Sequence, residues 1–351
     1  MSVTIGIVGV NGYMGGEALR VLLNHPEAKI AWLTSRQPGP VSLQHPNFYG
    51  SGLHSIRLED ITPCDVALLA LPTDAALTTT QRLLDMGTKV IDLGAAFRLR
   101  HRADWERVYG IPHSHWHLVS EAVYGVTELH ADAVAQSRLV ANPGCFASAA
   151  ILGLAPLLQH QLVDPAHLVV TGISGSAGAG AEPSTATHHP ELANNVLAYN
   201  VVDHRHSYEM EQELTAIAGA PVKVHFTPTY APLVRGILNV CHAFPLQQWS
   251  RAQLLELYRD YYQTSPFVKI FDAPFEERST WQYQPYPQIK AVAGTNYCYI
   301  GLDVDQRRGR IVVFSVLDSL GKGGAQVAVE NLNLMHGLPR DCGLHYYGCH
   351  P

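Results

Sequence analysis

Apolar and polar positions follow two regimes along the chain. Up to about residue 145, short apolar runs of strand length alternate with stretches of helical spacing. Residues 4–8, 29–33, 66–70 and 89–93 read as strands, the last two of them buried. Residues 15–24, with Ala18, Leu19, Leu22 and Leu23 on one face, and residues 75–86 read as helices. Such alternation predicts βαβ units around a parallel sheet. From residue 146 the pattern changes. Residues 146–161 predict a long helix carrying Ile151, Leu152, Leu154, Leu157 and Leu158. Strand-like runs follow at 167–173, 222–227, 237–243, 297–305 and 310–317, joined by longer connections in an α+β manner. A last periodic stretch, 322–335, reads as a helix after the turn GKGG. The expected organisation is an α/β chain of two domains. One comprises 1–144 together with 322–351, and the other 145–321.

Composition narrows the function. Of 351 residues 47% are apolar and only 15% charged, which disfavours disorder, and the formal charge is −6. No Lys/Arg block is present to follow a phosphate backbone, so no nucleic-acid partner is expected. No uncharged apolar run reaches ~18 residues, so no membrane span is expected. The start, MSVTIGIVGV, lacks a basic leader and cleavage site, and a cytoplasmic location follows as the expectation. Six cysteines without a C-x-x-C pair fit thiols in a reducing compartment.

Gly9-Val10-Asn11-Gly12-Tyr13-Met14-Gly15 directly follows the first strand and opens the first helix. Glycines so placed allow a tight turn and close approach to a pyrophosphate at a helix N-terminus. The alternative is a simple tight turn. After the second strand, Thr34-Ser35-Arg36 stands where an NAD enzyme usually places a carboxylate for the ribose 2′-hydroxyl. Arg36 and Ser35 suit a 2′-phosphate instead, which favours NADP(H).

Cys145 lies in ANPGCFASA, where Pro143-Gly144 turns into the long helix. A helix N-terminus favours a thiolate. A buried structural cysteine is the competing reading. A thiolate enzyme needs a nearby imidazole. Asp203-His204-Arg205-His206-Ser207-Tyr208-Glu209 offers two, and Glu209 stands three residues after His206, within reach on a helix. His188 and His189 add a second cluster, but no zinc spacing appears and no metal is expected. The Gly/Ser-rich run 172–180, with Ser174 and Ser176, offers donors to an anion. Arg235, just before a strand, is a candidate anion clamp.

These residues stand in a series of markers: GVNGYMGGE, TSR, LALP, DLGAAFRL, VYGVTEL, NPGCFA, SGSAGAG, DHRHSYE, TPTYAPLVRGIL, AGTNY and DSLGKGGAQVAVENLN. Essentially end to end, the chain resembles the N-acetyl-gamma-glutamyl-phosphate reductases of the wider semialdehyde dehydrogenase group. The resemblance implies a Rossmann-type NADP-binding domain, an α+β catalytic domain, and a homotetramer or homodimer. It implies reduction of N-acetyl-glutamyl 5-phosphate to the semialdehyde in arginine biosynthesis. Cys145 would be the nucleophile; the acid/base imidazole would be His204 first and His206 second, with Glu209 as orienting group. Pro72 and Ser319 join the implied cofactor contacts. Asn142, Ser174, Ser176, Arg205, Arg235 and Asn296 are the implied substrate contacts.

The chain departs from the family pattern at Gly94 and Ala96 of DLGAAFR and at Ser319. The run AEPSTATHHPE and the ending GLHYYGCHP resemble instead the branch that reduces aminoadipyl phosphate on an acidic carrier protein. Carrier-linked aminoadipyl or glutamyl phosphate is therefore the first alternative. An acidic carrier calls for a basic rim, and a net charge of −6 runs against it. An aspartate-semialdehyde-type enzyme is disfavoured by the H-R-H motif. A non-catalytic NADP-binding sensor would have no use for Cys145 or His204.

Overall fold

The computed structural model describes residues 2–272 and 286–349. It divides into two compact units. The first is Met1–Pro143 with Gly324–His345, and the second is Gly144–Gly323 with the tail from Tyr346. The division thus falls at 143/144 and 323/324 rather than at 144/145 and 321/322. The tail goes with the second unit, because Gly348 seats against the Ala291 carbonyl so closely that an added Cβ would lie 2.3 Å from it.

The first unit contains strands β1 (Val3–Val8), β2 (Ala28–Thr34), β5 (Val66–Leu69), β6 (Lys89–Asp92), β7 (Val123–Tyr124) and β8 (Leu139–Ala141). A separate ribbon pairs β3 (Gly39–Pro40) with β4 (His54–Ser55). The main sheet runs β2-β1-β5-β6-β8-β7, and each of its strand pairs is parallel. Ile5, Ile7, Leu68, Leu69, Val90 and Ile91 are fully buried. That explains near-continuous apolar runs where a half-exposed sheet would alternate. Helices Tyr13–Leu22, Thr73–Asp85, Arg102–Tyr109, Thr127–Gln136 and Gln326–Met335 complete the unit. Strand order reverses between β1 and β5. The crevice beyond their carboxyl ends is where such sheets bind ligands, and it is bordered by Gly9–Gly12 and by Leu71-Pro72.

In the second unit the strands are β9 (Leu168–Ser174), β10 (Leu197–Ala198), β11 (Val224–Tyr230), β12 (Ile237–Ala243), β13 (Val268–Ile270), β14 (Cys298–Asp305) and β15 (Arg310–Leu317). They form one mixed sheet, β10-β11-β9-β12-β15-β14-β13. Buried and half-buried residues alternate strictly along β9 and β12. The buried face packs on the helix Cys145–Gln159, whose residues Phe146 to Leu158 are all buried. Asn239 of β12 donates to the Phe146 carbonyl at 2.9 Å, and Tyr258 and Tyr262 donate to the Gly153 and Leu152 carbonyls at 2.6 Å. Val169, Ile173, Leu238, Val240, Val312 and Phe314 line the other face and are only half-buried.

The expected helix 322–335 begins later, at Gln326. Gly321–Ala325 forms a wider turn, interrupted by the non-helical backbone of Gly324.

Candidate active site

In the first unit the glycine-rich loop is held by its backbone. The N–H groups of Gly9 and Val10 both donate to the Thr34 carbonyl at 3.0 Å. Gly9 sits at φ +84°, with the Ala70 carbonyl 2.4 Å from where a Cβ would be. Only glycine serves there. Gly12 is the N-cap of Tyr13–Leu22, no side chain caps that helix, and no acid lies in its first turn. Its N-terminal N–H groups and dipole therefore remain available to an anion. Met14 lies in this first turn, the Tyr13 ring is largely exposed, and a Cβ on Gly15 would lie 2.4 Å from the Gly9 carbonyl. Ser35 Oγ donates to the Gln37 carbonyl at 2.6 Å and contacts Ser55 Oγ at 3.0 Å. Arg36 is exposed, and Pro72 caps the helix Thr73–Asp85.

The second unit gathers Cys145 and its neighbours. Cys145 is the first residue of its helix and is partly exposed. Glu209, fully buried, accepts the Gly144 N–H on Oε2 at 2.9 Å. Its other oxygen stands 3.9 Å from His206 Nε2. A Cβ on Gly144 would lie 2.5 Å from that same Nε2. The N-P-G-C glycine thus makes room for the imidazole next to the cysteine. A Cβ on Gly323, from the GKGG segment, would lie 2.7 Å from Cys145 Cβ.

His204 has a distinct position. It is the N-cap of Arg205–Ala218, and its Nδ1 accepts the His206 N–H at 3.1 Å. Nδ1 is therefore the unprotonated nitrogen, and the neutral ring carries its proton on Nε2. Burial, aided by the Arg205 charge, pushes its pKa down to about 4. The ring meets those of Phe146, Phe226, His206 and Tyr199 edge-on at 4.9–6.0 Å.

Tyr199 and Tyr230, absent from the expected site, stack at 4.1 Å with their planes 5° apart. Burial raises both phenol pKa values, a charge on Cys145 raises them further, and exposed Arg205 opposes the rise. The two phenols thus lie within electrostatic reach of both Cys145 and Arg205. No sequence motif signals the pair; only the adjacency of β10 and β11 brings it together.

The remaining expected contacts are engaged in ways the sequence does not indicate. Buried Ser174 donates to the Gly175 carbonyl at 2.8 Å, and Ser176 donates to the Leu233 carbonyl at 3.3 Å. Arg235 Nε lies 2.7 Å from Asp318 Oδ2. Asp318 is fully buried and accepts N–H groups from Gly294, Leu320 and Gly321. It joins three loops, and nothing in the motif DSLGKGG singles it out. Ser319 Oγ accepts the Gly236 N–H at 3.2 Å. Asn296 is fully buried beside Thr295. In the first unit Asn142 donates to the Gly324 carbonyl at 3.0 Å and faces Asn331 at 3.4 Å. Its amide is used within that unit. Among the described residues no group of three His, Cys, Asp or Glu side chains gathers as a metal site. Nor is any helix there long and apolar enough to cross a membrane.

Comparison with known proteins places this geometry. Residues 4–137 match the family described as semialdehyde dehydrogenase, NAD binding domain, and residues 145–319 match its dimerisation domain. An N-acetyl-gamma-glutamyl-phosphate reductase of Desulforamulus reducens is 39% identical over 99% of this chain and 100% of its own length. One from Methanopyrus kandleri is 40% identical over 99% and 100%. The chain belongs to the N-acetyl-gamma-glutamyl-phosphate reductase family. The fold is shared with aspartate semialdehyde dehydrogenase II of Vibrio cholerae complexed with ASA, at TM-score 0.70, 18% identity, and 96% and 99% coverage. It is shared too with the Candida albicans enzyme with NADP, at TM-score 0.62, 14% identity, and 96% and 99% coverage. At such identities the likeness speaks of fold alone.

In this chain the departures in DLGAAFR have a structural reading. Buried Asp92 accepts the backbone N–H groups of Gly94 at 2.9 Å and Ala96 at 3.0 Å. Both contacts use main chain, so neither side chain is needed for them. Burial raises the Asp92 pKa against the pull of Arg98, which itself donates to the Asn142 and Leu93 carbonyls.

Proposed function

We propose that this chain reduces N-acetyl-glutamyl 5-phosphate to N-acetyl-glutamate 5-semialdehyde with NADPH, through a thioester on Cys145, as a step of arginine biosynthesis. The observation that carries the mechanism is the junction of Glu209, Gly144 and His206 at the start of the Cys145 helix.

The helix N-terminus stabilises a thiolate on Cys145, and His206 takes the thiol proton. The sulfur attacks the acyl-phosphate carbonyl. A C–S bond forms, the bond from carbon to the phosphate oxygen breaks, and phosphate leaves with the electron pair and the proton held by His206. Backbone N–H groups at the helix start face the oxyanion that develops. The nicotinamide, when bound, supplies a hydride to the thioester carbon. The C–S bond then breaks, and the aldehyde departs as the thiolate is regenerated. Glu209 orients His206 and balances its positive form.

This geometry supports His206 ahead of His204 as the acid/base imidazole. The proton carrier is His206, against Gly144 and Glu209, whereas His204 caps the following helix. Arg205, exposed beside the tyrosine pair, is the proposed contact for a substrate anion. Arg235 is held by Asp318 and reaches substrate only in that pairing.

The glycine loop fits a dinucleotide, with positive φ at Gly9 and an uncapped helix start without acids. Arg36 and Ser35 favour the 2′-phosphate of NADP(H). The half-buried apolar face of the second sheet supports self-association as a homodimer or homotetramer, and a cytoplasmic location suits the reaction. Carrier-linked aminoadipyl or glutamyl phosphate is not favoured, since the relatives above are named for the acetylglutamyl substrate.

Phosphate-dependent reduction of NADP with purified protein tests the reading, comparing N-acetyl-glutamate semialdehyde with the free aminoadipate analogue. Turnover of the first compound is expected. Turnover confined to the second, or of neither by folded, NADP-binding protein, would overturn the substrate assignment.

A further inference from the structure

We infer that His45 is a positioning residue for the dinucleotide: its imidazole sets the direction of the Asn11 N–H that meets the pyrophosphate. The inference rests on the reading of Gly9–Gly15 as the dinucleotide loop.

His45 Nε2 lies 2.9 Å from the Val10 carbonyl oxygen. A carbonyl only accepts, so Nε2 carries the proton and donates it. The ring is not placed there by chance of rotamer. It lies flat over the first helix where residue 16 is glycine, and a Cβ on Gly16 would come within 2.4 Å of Cε1, 2.6 Å of Nε2 and 2.8 Å of Nδ1. Gly16 has helical surroundings and needs no unusual backbone, so its lack of a side chain is explained by this ring. Phe48 meets the imidazole edge-on at 6.0 Å. The His45 backbone is fixed in turn, its N–H bonded to the Val41 carbonyl and its carbonyl to the Phe48 N–H, both at 3.0 Å.

The consequence follows from peptide planarity. The Val10 carbonyl and the Asn11 N–H belong to one trans peptide unit and point in opposite directions. Val10 is already held on its other side, where its own N–H donates to Thr34. Fixing the carbonyl with His45 therefore fixes the Asn11 N–H, which among the described residues meets no acceptor. That donor stands within the turn just ahead of the uncapped helix start, among the N–H groups available to a phosphate.

The test measures binding of two probes, NADPH and adenosine 2′-monophosphate, the second of which has no phosphate at the pyrophosphate position. His45→Leu is expected to weaken NADPH about tenfold, the worth of one hydrogen bond to a charged group's site, and to leave the monophosphate unchanged. The KM for NADPH rises while kcat at saturation holds. His45→Gln, which keeps an N–H donor, recovers most of the affinity. Gly16→Ala displaces the ring from the other side and reproduces the loss, and the double variant is no weaker than the worse single one. If His45→Leu fails to fold, Gly16→Ala and His45→Gln carry the same comparison. Unchanged NADPH affinity in folded His45→Leu or Gly16→Ala, or equal loss for both probes, would overturn the inference. Failure of the wild-type protein to bind either probe would strike instead at the dinucleotide reading.

Discussion

Glu209 Oε2 accepts the backbone N–H of Gly144 at 2.9 Å, so a buried carboxylate of one helix holds the residue preceding Cys145 at the start of another. The same carboxyl group reaches toward His206 with its second oxygen. A single side chain thus bonds the Gly144 backbone and stands within ion-pair distance of the His206 imidazole.

Substitutions separate those two roles. Glu209→Ala leaves the Gly144 N–H without its buried acceptor, at a cost of about 1–3 kcal/mol. It should lower both the melting midpoint and kcat. Glu209→Gln keeps an acceptor oxygen but loses the charge, so stability is nearly retained while kcat falls about 10–100-fold. Thermal melts and kinetics on both variants check this. A Gln variant with wild-type kcat would show that the charge does no catalytic service.

His204 makes stability depend on pH. Its pKa is pushed down to about 4 by burial, against about 6.5 for a free imidazole. Below pH 6.5 the unfolded chain takes up a proton that the folded ring refuses, so stability falls as pH drops from 6.5 to about 4 and then levels. This one group contributes up to about 3 kcal/mol to the loss. His113, His242 and His336 are shifted the same way by burial and add to it. His204→Asn preserves an N-cap acceptor and removes the titration. Urea denaturation at pH 7 and pH 4.5 should show a smaller difference for the variant. An identical difference would assign the acid sensitivity to other groups.

Arg36 is the residue proposed above to select between the two nicotinamide cofactors. Its guanidinium is exposed just beyond β2, and no carboxylate stands at residues 34–36. Arg36→Ala should raise the KM for NADPH about 10–100-fold, the scale of a charge-assisted contact, and leave the KM for NADH unchanged. Equal effects on both cofactors would remove the 2′-phosphate from the account.

The strands of the first unit are legible in the sequence because both faces are buried, which leaves uninterrupted apolar runs such as Val66–Leu69. Helices with little to bury are not. Arg102–Tyr109 buries only Trp105, and Thr127–Gln136 only Thr127 and Val134. Cys145 at a helix start can be read from Pro143-Gly144, a local signal. What makes Gly144 necessary is His206, on a distant segment, and only the fold discloses it. The Tyr199–Tyr230 stack and the contacts of Asp318 are invisible for the same reason. Several of the 19 histidines find their explanation in tertiary bonds: His25 to Asn333, His45 to Val10, His113 to the Ala96 carbonyl.

The central claim is that Cys145 carries the acyl group. Protein mixed with N-acetyl-glutamyl 5-phosphate in the absence of NADPH should release one phosphate per active site, with the acyl mass located on the Cys145 peptide by mass spectrometry. Cys145→Ala should give neither. Phosphate release that requires NADPH, or an acyl group found on another residue, would contradict the account.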